Sequence, residues 1–280
     1  MTRGEHVRLP AGLPIDVERV GTGPPLVFLH GFGASRFSWR HWVEALSGDY
    51  TLYLVDLRGF GAAPPAPDGR YGPPEMARDV AGLVRSLDLE RVTLVGHSMG
   101  GGVALLASLL LRDAGEGARL TRLVSVAGTA YDQRLPPVIG LLRLRTGRAI
   151  LRHLPAHLVV APVLRRIVYD PASVTAEQVE GYSRPLRSRP AREALIACVR
   201  HLVPENLDRI VARYPGLDLP ALLIWGRQDP VVPLALGERL ARELPHARLA
   251  VLERCGHLPA EEHPQASLGL LRAFLDGSSS

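Results

Sequence analysis

Ser98 lies in Gly96-His97-Ser98-Met99-Gly100, between the apolar run Val92–Val95 and a helical pattern that opens behind the serine. A strand ending in such a turn leaves no room for side chains at 96 and 100, and its strained backbone lifts a hydroxyl above the sheet edge. The following helix points its N-terminus at the site. Its dipole and the free amide of Met99 favour negative charge growing on a reacting carbonyl oxygen. A second turn, His30-Gly31-Phe32-Gly33, follows the run Leu26–Leu29 and can bring in the amide of Phe32 as the second donor. Removing one such donor costs about 3 kcal/mol of transition-state stabilisation. His30 itself reads as a packing or hydrogen-bonding residue.

A serine hydroxyl is a poor nucleophile at neutral pH until a base accepts its proton, and the base must be held in one tautomer by a third group. Asp229, in Gly226-Arg-Gln-Asp229-Pro, follows the apolar run Ala221–Trp225, and His257, in Cys255-Gly-His257-Leu-Pro, follows Arg248–Leu252. Both would emerge at the carboxyl edge of a parallel sheet, where ligand sites collect, beside Ser98. Asp132 is the reserve candidate for the acid. His153 and His157 lack a strand-end context but are placed where they could face a substrate.

Other chemistries are excluded by residue type. All 33 basic residues are arginines. Without lysine there is no Schiff base, no pyridoxal attachment, no Ser-Lys dyad and no Walker A lysine. Neither Gly21-Thr-Gly23 nor Gly31-Phe-Gly33 completes a GxGxxG phosphate loop, and neither HExxH nor HxxEH occurs. No metal and no cofactor are expected. Cys198 and Cys255 are too far apart for a CxxC site and read as reduced core residues.

The formal charge of +5 and pI near 9.7 raise the question of a nucleic-acid partner. The arginines are dispersed and only 5% of residues are aromatic, so a solvated surface is expected instead. The longest apolar stretch, Val103–Leu111, spans nine residues and is broken by Ser108. That is far short of the roughly 20 residues a membrane-spanning helix needs. The opening Met-Thr-Arg-Gly-Glu-His carries no apolar signal core, so a cytoplasmic location is expected.

The elements that must hold these residues alternate in the manner of strands joined by crossover helices. Strands are predicted at Ile15–Val20, Leu26–Leu29, Thr51–Val55, Val92–Val95, Thr121–Val126, Ala221–Trp225 and Arg248–Leu252, with Val7–Leu9 as an edge. Helices are predicted at Ser38–Leu46, Pro74–Leu87, Ser98–Arg112, Pro233–Leu244 and Pro264–Leu275. From Tyr131 to Tyr214 the strand signal disappears. Helical pieces of 8 to 15 residues punctuated by prolines from Pro136 to Pro204 take its place, with Thr175 and Gln178 spaced as a capping box. This segment holds 14 arginines against seven acids. The chain therefore divides into an α/β core, residues 1–130 and 215–280, and an inserted helical cap, residues 131–214. The final Gly-Ser-Ser-Ser is expected to fray.

On the motifs His30-Gly-Phe-Gly33, Asp56-Leu-Arg-Gly-Phe-Gly61, Gly96-His-Ser-Met-Gly-Gly101, Gly226-Arg-Gln-Asp229 and Gly256-His257-Leu-Pro, with Glu262 and Pro264 beyond, the chain resembles the α/β-hydrolase superfamily. The likeness is to its esterase and lipase-like branch with a helical cap, and it spans nearly the whole chain. It implies a mostly parallel eight-stranded sheet flanked by helices. It also implies Ser98 as nucleophile, Asp229 as orienting acid, His257 as general base, and the amides of Phe32 and Met99 as oxyanion hole. Ala62 departs from the serine many relatives carry there. Serine at 98 separates the chain from the dehalogenase and epoxide hydrolase branches, which use aspartate.

The expected activity is hydrolysis of a small carboxylic ester with an apolar part. The same scaffold also serves carbon–carbon hydrolysis, lactone hydrolysis, perhydrolysis and acyl transfer. A non-catalytic binding module would need none of the three reacting side chains. Apolar residues of the cap, among them Leu141, Leu142, Leu151, Leu154, Leu158 and Val160, are candidates for a pocket wall or for cap core.

Overall fold

A computed structural model describes residues 4–133 and 137–277. Pro136 and the terminal serines of the sequence reading lie outside them. Eight strands form one sheet: β1 Glu5–His6, β2 Asp16–Val20, β3 Pro25–Leu29, β4 Thr51–Asp56, β5 Val92–His97, β6 Leu120–Val126, β7 Ala221–Gly226 and β8 Ala247–Leu252. Their order across the sheet is β1-β2-β4-β3-β5-β6-β7-β8. Only β2 runs against the rest, pairing antiparallel with both β1 and β4. The sites behind β3, β5, β7 and β8 therefore open on one edge.

Among the described residues twelve α-helices accompany the sheet. In the core lie α1 Arg40–Leu46, α2 Pro73–Ser86, α3 Met99–Asp113, α10 Leu234–Glu243, α11 Pro259–Glu262 and α12 Pro264–Leu275. Between β6 and β7 lie α4 Pro137–Arg143, α5 Arg145–His153, α6 Ala156–Ile167, α7 Ala176–Ser183, α8 Arg189–His201 and α9 Leu207–Val211. Both faces of the sheet are covered, which is why its strands read as continuous apolar runs. The two-residue period still sorts them. Leu26, Phe28, Val95 and Ile224 pack with Trp39 and Trp42 on one face, while Val27, Leu29, Leu94 and Leu223 pack with Met76 and Val103 on the other.

Three local expectations are corrected. The edge strand is Glu5–His6, not Val7–Leu9; Val7 still donates to Val17 O at 2.9 Å, but β2 begins only at Asp16, so the ladder stops there. The predicted helix Ser38–Leu46 is a 3₁₀ turn, Arg36–Trp39, capped by Ser35 and followed by α1. Ser98 itself is not helical, since α3 begins at Met99. The capping box of Thr175 and Gln178 is formed at the start of α7. The helical segment leaves and rejoins the sheet at one point, where the Tyr214 hydroxyl donates to Ala130 O at 2.9 Å.

Candidate active site

β5 ends at His97 and α3 begins at Met99, so Ser98 alone makes the reversal, with φ 52° and ψ −119°. An L-residue holds this conformation only where its surroundings over-determine it. Here the Ser98 amide donates to Val126 O at 2.9 Å, and its carbonyl accepts from Gly101 N at 2.9 Å and Thr129 N at 3.0 Å. The flanking glycines are required by close approach: a Cβ on Gly100 would stand 2.2 Å from Leu29 O, and one on Gly96 2.2 Å from Gly100 O.

The three residues taken from separate strand ends form one line of hydrogen bonds. The Ser98 hydroxyl donates to His257 Nε2 at 2.9 Å, and His257 Nδ1 donates to Asp229 Oδ2 at 2.8 Å. The second carboxylate oxygen, Asp229 Oδ1, accepts from the amides of Val231 at 2.7 Å and Val232 at 2.9 Å. All three side chains are buried. With Nδ1–H committed to the carboxylate, Nε2 presents its lone pair to the hydroxyl, the tautomer a general base needs. Phe32 and Met99 line the cavity at Ser98, and among the described residues the amide of neither donates to another group. Asp132, the reserve acid, is exposed, as are His153 and His157, which border surface hollows away from Ser98.

Around these residues lies a layer that, apart from the hydrogen-bonding reading of His30, had no role in the sequence analysis. Glu262, on α11, accepts from Gly256 N at 2.9 Å and Leu258 N at 2.9 Å, gripping the backbone on both sides of His257. It also accepts from Tyr169 N at 2.7 Å, and His257 N donates to Ile167 O at 2.8 Å, so the end of α6 braces the same loop. The clue was the acid five positions after His257, beyond a proline that can open a helix. His30 Nδ1 donates to Gly31 O at 2.8 Å while Nε2 accepts from Leu57 N at 3.1 Å, which fixes a neutral imidazole behind the Phe32 turn. Burial lowers its pKa accordingly.

His97 donates from Nε2 to His257 O at 2.8 Å, and the two rings lie 4.9 Å apart. Burial first, and then the neighbouring His257, lower its pKa from 6.5 to about 3. A histidine kept neutral in the folded state contributes stability that is complete above its unfolded pKa and fades as pH falls from about 6.5 to about 3. At pH 5 the loss from His97 is about 2 kcal/mol. His97→Gln keeps an N–H for the carbonyl but does not titrate. Urea unfolding at pH 7 and pH 5 should show a smaller loss for this variant, and equal losses in the two proteins would refute the assignment.

Two cavities meet at Ser98, sharing Phe32, Ile139 and Val231. The larger, about 180 Å³, lies against His257 under α4–α6 and is walled by Leu142, Leu151, Val160, Leu164 and Leu195. The smaller, about 70 Å³, runs over α3 toward Leu207 and Tyr214, with the Gln133 amide as a polar group. No arginine, aspartate or glutamate among the described residues lines either one. Of the apolar candidates, Leu142, Leu151 and Val160 face the larger cavity, whereas Leu141, Leu154 and Leu158 are exposed. Among the described residues no cluster of three or more His, Cys, Asp or Glu side chains could hold a metal ion, and Cys198 and Cys255 are both buried free thiols. No helix of the described residues is long and apolar enough to cross a membrane.

A sequence model of the alpha/beta hydrolase family matches residues 26–268. The chain is 32% identical over 275 residues to the pimeloyl-[acyl-carrier protein] methyl ester esterase of Aeromonas hydrophila, covering 94% of this chain and 100% of that one. It is 31% identical over 273 residues to the 2-hydroxy-6-oxononadienedioate/2-hydroxy-6-oxononatrienedioate hydrolase of Burkholderia vietnamiensis, covering 94% and 91%. A thermophilic esterase from Thermogutta terrifontis superposes with a TM-score of 0.78 at 26% identity, covering 99% and 100%.

Proposed function

Because the chain belongs to the alpha/beta hydrolase family, we propose that it cleaves carboxylic esters through an acyl-enzyme. The reading is carried by one observation: the line of hydrogen bonds from Asp229 to Ser98 ends where two uncharged cavities meet. Ser98 Oγ attacks the ester carbonyl as His257 Nε2 takes its proton. The tetrahedral oxyanion is received by the amides of Phe32 and Met99. The imidazolium returns its proton to the leaving alkoxide, and the alcohol departs. Water, deprotonated by the same nitrogen, then releases the acid from Ser98. Asp229 holds the imidazole through its Nδ1–H. Residues 131–214 act as a cap whose inner face forms most of the wall of the larger cavity. The two cavities would take the acyl and alcohol portions on either side of the reacting carbonyl.

A second reading, hydrolysis of a carbon–carbon bond, is favoured by the likeness to the dienedioate hydrolase. A substrate with two carboxylates needs cationic partners once it is desolvated. The uncharged lining weighs toward the ester. Initial rates on p-nitrophenyl esters from acetate to dodecanoate, run beside a 2-hydroxy-6-oxodienedioate, separate the two. The expected result is ester turnover with an optimum at short to medium acyl length, as the size of the larger cavity requires. Turnover of the dienedioate without any ester cleavage would overturn the proposal.

A further inference from the structure

We propose that the outer face of α4–α6 docks the protein on an anionic lipid surface, from which an apolar substrate enters the larger cavity. Residues 133–169 contain seven arginines and no aspartate or glutamate. Every exposed large hydrophobic side chain among the described residues lies in this same stretch: Leu141, Leu144, Ile150, Leu154, Leu158 and Tyr169. Interleaved with them, Arg143, Arg145, Arg152, Arg165 and Arg166 are exposed and Arg148 is half-buried. Among the described residues, Arg152 is the only one of these six arginines that joins an ion pair, with Glu193 at 2.7 Å.

The exposed large apolar side chains of the described residues are gathered into one arginine-rich stretch of chain instead of being spread over the surface, the distribution expected of an interaction site. Leucine and isoleucine set among guanidiniums match the headgroup boundary of a bilayer. There the apolar side chains enter the acyl region and the arginines pair with phosphate oxygens in bidentate fashion. An acidic protein would satisfy the charge but has no general need for the exposed leucine and isoleucine side chains beside it. The inner faces of the same three helices carry Ile139, Leu142, Leu151, Val160 and Leu164 into the larger cavity. One layer of helix thus separates the docking face from the reacting serine. The inference rests on the ester reading only in taking the substrate to be apolar.

Flotation of the full chain, carried as Ser98→Ala so that no lipid is consumed, tests this with vesicles of phosphatidylcholine and the same vesicles containing phosphatidylglycerol. Binding is expected on the anionic vesicles only and should weaken as salt rises. Arg145→Gln combined with Arg148→Gln should lower partitioning by roughly 10- to 30-fold. Leu144→Ser with Leu158→Ser should lower it by roughly tenfold or more. Both double variants should retain turnover of a short soluble ester in the Ser98 parent. Absence of binding to either vesicle, or equal binding to both, would overturn the proposal. Capture of acyl carrier protein by these arginines, with no vesicle binding, would overturn it in favour of a protein partner. Since Ser98→Ala binds without turning over, failure of the ester chemistry and failure of docking are read separately.

Discussion

Replacing Ser98 with alanine is expected to lower kcat on a p-nitrophenyl ester by roughly 10⁴- to 10⁶-fold, with the fold intact. The hydroxyl makes one hydrogen bond, to His257 Nε2, while the strained backbone at 98 is held by bonds from its own amide and carbonyl to Val126, Gly101 and Thr129. Alanine leaves every one of those in place. The urea midpoint should therefore shift little, and the loss should fall on kcat. What turnover remains would come from the amides of Phe32 and Met99 and from binding alone. Turnover within tenfold of the parent would remove Ser98 from the role of nucleophile.

Asp229→Asn should cost nearly as much, about 10⁴-fold in kcat, as the same change does in a serine protease triad. The structure supplies the reason in this chain. The Asp229 Oδ1 position receives two backbone N–H groups, from Val231 and Val232, so an asparagine must place its carbonyl oxygen there. Its NH₂ is then forced toward His257 Nδ1, where the carboxylate now accepts. Two donors cannot face each other. The imidazole moves its proton to Nε2 and loses the lone pair that would accept from Ser98. Steady-state kinetics on a short ester should show the fall in kcat with KM little changed, and a fall of less than tenfold would mean that the imidazole is oriented by something else.

The legibility of this site follows from where each residue acts. Ser98, Asp229 and His257 could be named from the chain because each sits in a short loop behind an apolar run, and parallel topology brings such loops to one edge. The glycines at 96 and 100 were equally readable, since a side chain there has nowhere to go. Glu262 and His97 were not readable in the same way, and His30 was legible as a hydrogen-bonding residue but without its partners. Their contributions are hydrogen bonds to backbone groups of Gly256, Leu258, His257 and Leu57, and a backbone amide carries no sequence signature. The same holds for the ends of the elements. The start of β2 at Asp16 and the reversal at Ser98 set boundaries that periodicity alone placed a residue or two away.

The helical segment divides along the same line. Its existence, its prolines and its surplus of arginines belong to the sequence. Which leucines turn inward does not: Leu141 and Leu142 are adjacent, yet one is exposed and the other walls the cavity. Helical spacing defines a face, but the partner that buries it is chosen by how six short helices pack over the sheet. The chain by itself determined which reactive side chains stand at the strand ends and their order along the fold, because residue type and strand-end position are local properties. Only the tertiary structure decided the tautomer of His257, the brace from Glu262 and Ile167, and the uncharged lining at Ser98, because each depends on groups far apart in sequence meeting within hydrogen-bonding or van der Waals distance.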